Sequence, residues 1–208
     1  MKEKISKYVL CILILLVFIF THQIKYEKTN SPSFLTQDNI LDFIDNIDNV
    51  FFNSLCFKEN TINFSNDEII DFAVEYIILN YMDFDDEIIN LNKTFTYEEE
   101  KSIYISIGFV NKSTINEISN KIFSITNLNF ENYRFLDKES DLVALVPMIS
   151  DIPIRFSSRN IESITNTNND TLMVKVKYSF ENKNFVYFEY LLKVKENKLS
   201  LERLNIHT

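Results

Sequence analysis

Hydrophobic spacing divides the chain into three regimes. Residues 8–20, YVLCILILLVFIF, are continuously apolar. From Asp38 onward, apolar residues recur at three- and four-residue steps, which is helical spacing. From Asp141 the period becomes two, which is strand spacing. The helical regime begins with Ile40, Phe43, Ile44, Ile47, Val50, Phe51 and Leu55, with Asp42, Asp45 and Asp48 between them. A second helix is predicted from Ser65-Asn66-Asp67-Glu68, a capping box in which serine and glutamate each satisfy a free backbone N–H. Its apolar face is Ile69, Phe72, Ala73, Tyr76 and Ile77. A third is expected from a second capping box, Thr114-Ile115-Asn116-Glu117, presenting Ile115, Ile118, Ile122 and Phe123. Between the second and third helices, SIYISIGFV reads as a strand with Ile103, Ile105 and Ile107 on one face. Gly108 at its end marks a bulge or a close backbone approach.

In the period-two regime, Pro147 and Pro153 make the first part an edge or an irregular connection. LMVKVKYSF then alternates, with Leu172, Val174, Val176, Tyr178 and Phe180 inward and Met173, Lys175, Lys177 and Ser179 outward. FVYFEYLLKVK places Val186, Phe188, Tyr190, Leu192 and Val194 inward. In KLSLERLNI the apolar phase slips between Leu201 and Leu204, which predicts a bulge near Glu202. Asn182 and Asn197, in the turns ENKN and KENK, are suited to positive φ. The outward face carries Lys175, Lys177, Glu189, Lys193 and Arg203, which cross-strand pairing accounts for. Tyr187 and Leu191 interrupt that polarity and mark a patch for a helix or a partner to cover.

The expected class is therefore α+β: an N-terminal transmembrane helix, then amphipathic helices packed on a C-terminal antiparallel meander. The continuous apolar run is short for a membrane span. Ile5 and Ile24 extend it, however, and Lys7 can reach the headgroups, so residues 5–24 suffice to cross the hydrocarbon core. Phe18-Ile19-Phe20 presents bulky groups where a signal peptidase needs small ones, which favours an uncleaved anchor over a cleaved signal or a buried core helix. Cys11, near the start of the run, is poorly placed as a lipid acceptor. Lys2, Lys4 and Lys7 against Glu3 outweigh Lys25 and Lys28 against Glu27, which puts the amino end in the cytoplasm and the domain outside. The expected organisation is residues 1–24 as cytoplasmic tip and anchor, 25–36 as tether and 37–208 as an extracytoplasmic domain of a single-pass cell-membrane protein.

Composition narrows the function classes. The net charge is −9, and residues 1–28 hold five Lys and two Glu, so the remainder carries −12. Such a domain repels phosphate backbones and shows no basic stripe in sequence, so nucleic acid is not an expected partner. Cys11 and Cys56 are the only cysteines, so the domain has no disulfide staple, as is ordinary for a Gram-positive bacterial protein. The wealth of Asn, Ile, Lys and Phe suggests an AT-rich genome. With Gly108 as the single glycine, neither a phosphate-cradling loop nor a dinucleotide fingerprint can be built. His22 and His207 are the only histidines, and both lie where a packed scaffold is not expected to hold them. Histidine-based triads and Cys/His zinc sites are therefore excluded. The acidic group Asp83, Asp85, Asp86 and Glu87 fails the calcium-loop pattern, because Ile88 and Thr94 stand where glycine and glutamate are required. It reads as a solvated helix end, and Glu98–Glu100 as a weaker case. Spacing singles out no glycosidase-like carboxylate pair. No catalytic, cofactor-binding or metal-ligating residue is assigned.

By element order over residues 36–206, the domain resembles the cystatin-like or nuclear-transport-factor-like cone fold. With its single N-terminal helix it is also similar to the bitopic scaffold subunits of bacterial conjugation and secretion machines, and to small uncharacterised anchored proteins of clostridia. The anchor, the acidic surface and the absence of catalytic furniture point to an interaction or scaffold protein without catalytic activity, bound to the bilayer through residues 5–24 and to a protein partner at the membrane surface. The alternatives are a small apolar-ligand module and a carboxylate-dependent cell-wall hydrolase. If the anchor is retained, the intact mass of protein extracted from membranes includes Met1 or Lys2. A mature chain beginning near residues 22–30 refutes retention.

Overall fold

The computed structural model describes residues 35–53, 61–62, 64–91, 93–97, 102–147, 156–168, 170–181 and 184–207. The anchor expected over residues 5–24 and the acidic run at 98–100 lie outside them, as do Leu55, Pro153 and Asn182. No described helix is long and apolar enough to cross a membrane. The chain divides into two compact units, 1–39 and 40–208. Of the first, only residues 35–39 are described, and there the Asn39 N–H donates to Thr36 Oγ1 at 3.2 Å, an N-cap contact.

The second unit is α+β, as the spacing predicts. Helix α1 (Gln37–Asn53) buries Ile40, Ile44, Ile47, Val50 and Phe51. Helix α2 (Asn66–Leu79) opens on the expected capping box: the Ser65 N–H donates to Glu68 Oε2 at 2.7 Å, and the Glu68 N–H donates to Ser65 Oγ at 3.4 Å. Its five expected apolar residues are buried, and so are Ile70, Val74 and Glu75, so the helix is enclosed on most sides. Helix α3 (Lys112–Phe123) buries Ile115, Ile118, Ile122 and Phe123 as expected. It begins earlier than the second capping box implies, with Asn111 at the N-cap. Thr114 lies inside the first turn, where its buried hydroxyl donates to Glu87 Oε2 at 2.7 Å. A long-range acceptor has displaced the local capping role.

Four long strands form an antiparallel meander: β7 (Ser158–Asn168), β8 (Thr171–Ser179), β9 (Phe185–Lys195) and β10 (Lys198–His207). A short β1 (Thr61–Ile62) adds to the far edge beside β10. The inward residues of β8 and β9 through Leu192 are buried, while Phe180 and Val194 are half-buried at the ends. The pairing of β10 with β9 shifts between Leu201 and Arg203, so Glu202 is the bulged residue. In the β9–β10 turn Asn197 has φ 63°, as its residue type allows, but Glu196 shares the strain at φ 49°.

SIYISIGFV is not one strand. β3 (Ser102–Ile105) pairs with β2 (Thr94–Tyr97), whereas β4 (Phe109–Val110) pairs with β6 (Leu142–Ala144), which also pairs with β5 (Leu136–Asp137). The break falls before Gly108, where a Cβ would sit 2.7 Å from Ile88 Cγ2. The close-approach reading of the glycine holds: the 88–89 segment passes against its backbone, and the Ile89 N–H donates to the Phe109 carbonyl at 2.7 Å. Truncating the α2 cap with Ser65→Ala should cost about 1 kcal/mol of unfolding free energy. A lowered urea midpoint checks it, and an unchanged midpoint refutes the cap's contribution.

Candidate functional site

Two arrangements of side chains stand out from ordinary packing, one inside the domain and one on its surface. The inner one centres on Asp48, which is 2% exposed. Tyr178 of β8 lies 2.6 Å from its Oδ2 and Tyr190 of β9 lies 2.5 Å from its Oδ1, both phenols being donors to the carboxyl group. The two phenol oxygens are themselves 2.8 Å apart. Arg159 of β7 donates to Asp48 Oδ2 at 3.2 Å and is also ion-paired with Asp45, one turn earlier on α1. Phe52 packs beside this group, with ring centroids 4.9 Å from Tyr178 and 5.2 Å from Phe188. Burial pushes the Asp48 carboxyl up to about 6, against the opposing pull of the phenols and the guanidinium. Burial and the adjacent carboxylate push both phenols well above their ordinary value.

A smaller group repeats the chemistry. The Tyr133 hydroxyl donates to Asp71 Oδ1 at 2.8 Å, and Arg134 reaches Asp71 Oδ2 at 3.4 Å. Burial raises the Asp71 carboxyl and raises Tyr133 strongly. Near the surface, Lys93 lies 2.7 Å from Asp137, and that hydrogen bond holds the carboxyl below its ordinary value.

The surface arrangement is the outward face of the meander. Pairing sets Lys175 opposite Glu189, Lys177 opposite Tyr187 and Met173 opposite Leu191. The Glu202 bulge brings Arg203, Asn205 and His207 onto the same face, opposite Leu191, Glu189 and Tyr187. Lys175 and Glu189 are 3.9 Å apart, and His207 Nε2 is 3.0 Å from Glu189 Oε2. Lys175 stands 4.6 Å over the Tyr187 ring, and Lys177 stands 4.4 Å over Phe185. Pairing thus places Lys175, Lys177, Lys193 and Arg203, with Lys195 and Lys198 at the far end, on the face that carries Glu189, on a domain that carries −12 overall. The chain shows no basic stripe in sequence because these cations come from three strands and meet only on folding. His207 is likewise placed better than its position near the end suggests, since β10 holds it opposite Tyr187.

The acidic group at 83–87 falls into two short 3₁₀ turns, Tyr81–Asp83 and Asp85–Glu87, with its carboxylates exposed. Among the described residues, no three His, Cys, Asp or Glu side chains gather as a metal site requires. A depression of about 540 Å³ opens beside Lys112 and Asp141, lined also by Asn129, Phe130, Glu131 and Lys138. Leu128, Phe130 and Leu136 make its wall partly apolar, and charged and amide side chains fill the rest. Ile103 and Ile105, 68% and 63% exposed, face out from the β2–β3 hairpin, while Phe95 and Tyr104 pack inward on Phe135.

Comparison with family models, with curated proteins and with solved structures finds no match for this chain. The geometry therefore carries the argument alone. The Asp48 group is too enclosed for a substrate to reach and serves to hold α1 against three strands. The pattern contained a sign of it. Asp48 continues the four-residue step from Ile40 and Ile44, and Tyr178 and Tyr190 are inward phenols on neighbouring strands that need partners. Nothing in the sequence points to Arg159. Removing one phenol leaves a buried oxygen without its donor, so Tyr190→Phe should cost about 1–3 kcal/mol. In a double-mutant cycle with Tyr178→Phe, measured by urea denaturation, the two costs should fail to add. Strict additivity would show that the two hydroxyls act separately.

Proposed function

We propose that this chain is a non-enzymatic interaction module, held at a cell membrane by residues 5–24 with the 37–208 domain outside, whose outward sheet face receives an acidic segment of a partner protein. The observation that carries this reading is the segregation of charge. Lys175, Lys177, Lys193 and Arg203 share the outward face with Glu189, on a domain whose total is strongly negative. Half-buried Tyr187, Leu191 and Met173 lie among those cations. A flat face of aromatic and aliphatic groups fringed by cations suits an acidic peptide carrying apolar side chains. Separation of these cations from the acidic remainder gives the domain a dipole, which turns that face toward an acidic partner and the rest of the surface away. An extended polyanion such as nucleic acid or an anionic lipid surface would also meet the acidic remainder of the domain, which a short peptide does not. Element order consistent with a cone fold, and the likeness to bitopic scaffold subunits, support the same reading.

The test places a photo-crosslinking amino acid at Tyr187 and, as a control, at Asp86 on the acidic surface of the full-length protein in its native membrane. The expected result is a discrete protein adduct from position 187, absent from position 86. The adduct should diminish at high salt and with Lys175→Glu/Lys177→Glu, because screened or reversed charges lose the steering. Adducts confined to lipid or nucleic acid overturn the choice of partner. Release of soluble wall glycan that depends on one Asp or Glu overturns the non-enzymatic reading.

A further inference from the structure

The three oxygen–oxygen contacts around Asp48 pose a counting problem. Tyr190 to Asp48 Oδ1 is 2.5 Å, Tyr178 to Asp48 Oδ2 is 2.6 Å, and Tyr178 to Tyr190 is 2.8 Å. Each is hydrogen-bond distance for O–H···O, and each bond needs its own proton. Two phenols supply two protons. With Asp48 ionised, both protons point at the carboxylate, and the phenol oxygens face each other at 2.8 Å with none between them. With a proton on Asp48 the triangle closes: the carboxyl O–H donates to Tyr190, Tyr190 donates to Tyr178, and Tyr178 donates back to Oδ2. All three contacts are then satisfied by three protons.

We propose that Asp48 is a proton-operated latch: a proton on its carboxyl closes the hydrogen-bond ring that holds α1 to β8 and β9, and loss of that proton opens one side of the ring. Charge balance agrees. The titratable and charged groups facing Asp48 are Tyr178 from β8, Tyr190 from β9 and Arg159 from β7, and Asp45 of its own helix is ion-paired to Arg159. Arg159 with ionised Asp45 is already neutral as a pair. An ionised Asp48 would add an unbalanced negative charge in the interior, where it is costly. The phenols keep their protons throughout, because both are raised above their ordinary value. The third proton can therefore come only from Asp48.

The direction of the pH response follows. The Asp48 carboxyl is raised in the fold from 3.8 to about 6. Its contribution to stability is fully present below pH 3.8 and is lost as pH rises through about 6. This group therefore tightens the domain on acidification, the opposite of Asp137, whose lowered value yields stability that is lost as pH falls.

The test is a pH titration of the full-length protein in detergent, with ¹³C at the aspartate carboxyl carbons and the Asp48 signal assigned from Asp48→Asn. Asp48 should titrate at about pH 6. Tyr178→Phe, which removes one side of the ring, should lower that midpoint, whereas loss of a plain hydrogen bond to the carboxylate would raise it, and the Tyr190 hydroxyl proton should broaden as the midpoint is crossed. A midpoint at or below the ordinary aspartate value in the wild type overturns the latch. If Asp48→Asn does not fold, the signal is assigned from wild-type protein by its contacts with the Tyr178 and Tyr190 rings, and the same midpoint decides. A midpoint near 6 that Tyr178→Phe leaves unchanged or raises also overturns it, because burial, opposed by ordinary hydrogen bonds to the carboxylate, would then account for the value.

Discussion

Burying one carboxyl group sets the terms for the rest of the domain. Asp48 can sit 2% exposed only because β8 and β9 bring Tyr178 and Tyr190 to it and β7 brings Arg159. A buried polar group without partners costs several kcal/mol, so the three strands and α1 are bound to one mutual register. A slip of one residue in β8 or β9 would turn the phenol outward and orphan the acid. Apolar contacts alone would not discriminate as sharply, because Val174, Val176 and Leu192 are nearly interchangeable as fillers of the same layer. The Phe52, Tyr178 and Phe188 rings supply packing area around the group, and the polar ring supplies the address.

Locking the sheet's inner face also fixes its outer one. Because side chains alternate, putting Tyr178 and Tyr190 inward places Lys177, Glu189 and Leu191 outward. On β10 the inward Leu201 and Leu204 are three residues apart, which alternation alone does not permit. The bulge at Glu202 absorbs the extra residue and carries Arg203 and His207 to the outer side. The cationic face and the buried latch are thus two consequences of one register. Tyr187 has Lys175 and Lys177 over its ring, contacts worth about 0.5–1 kcal/mol at exposed sites.

How much of this was legible depended on whether local pattern or distant contact decided the outcome. The α2 capping box, the α3 face, the strands β8 to β10 and the Glu202 bulge all follow from residues within a few positions of one another, and each is where the spacing puts it. Thr114 misleads because its capping sequence is outbid by Glu87, 27 residues away. β7 carries almost no hydrophobic alternation, since Glu162 to Asn168 are exposed on both faces, so its strand character comes only from pairing with β8. The Asp48 group joins an acid to three residues more than a hundred positions away, and sequence could mark only an acid in an apolar stripe and two inward phenols, not their meeting. The cationic face was visible as individual lysines but not as a cluster, because strand order and a bulge assemble it.

The β2–β3 hairpin shows why period alone does not assign inside and outside. Ile103 and Ile105 alternate with Ser102 and Tyr104, and hydrophobicity would send the isoleucines to the core. The observed phase is the reverse, with Tyr104 meeting Phe135 at 5.1 Å between centroids and Phe95 meeting it at 5.8 Å. Two aromatic rings bury more apolar area on Phe135 than two isoleucines would, and edge-to-face contact adds to that gain. The register of four pairs then commits Ile103 and Ile105 to the outer side. Gly108 lies where the chain leaves this hairpin: a Cβ there would sit 2.7 Å from the Ile88 Cγ2 methyl, and β4 joins β6 in a different sheet instead of prolonging β3. The single glycine in 208 residues thus stands at the junction of two sheets that the alternating run would have merged.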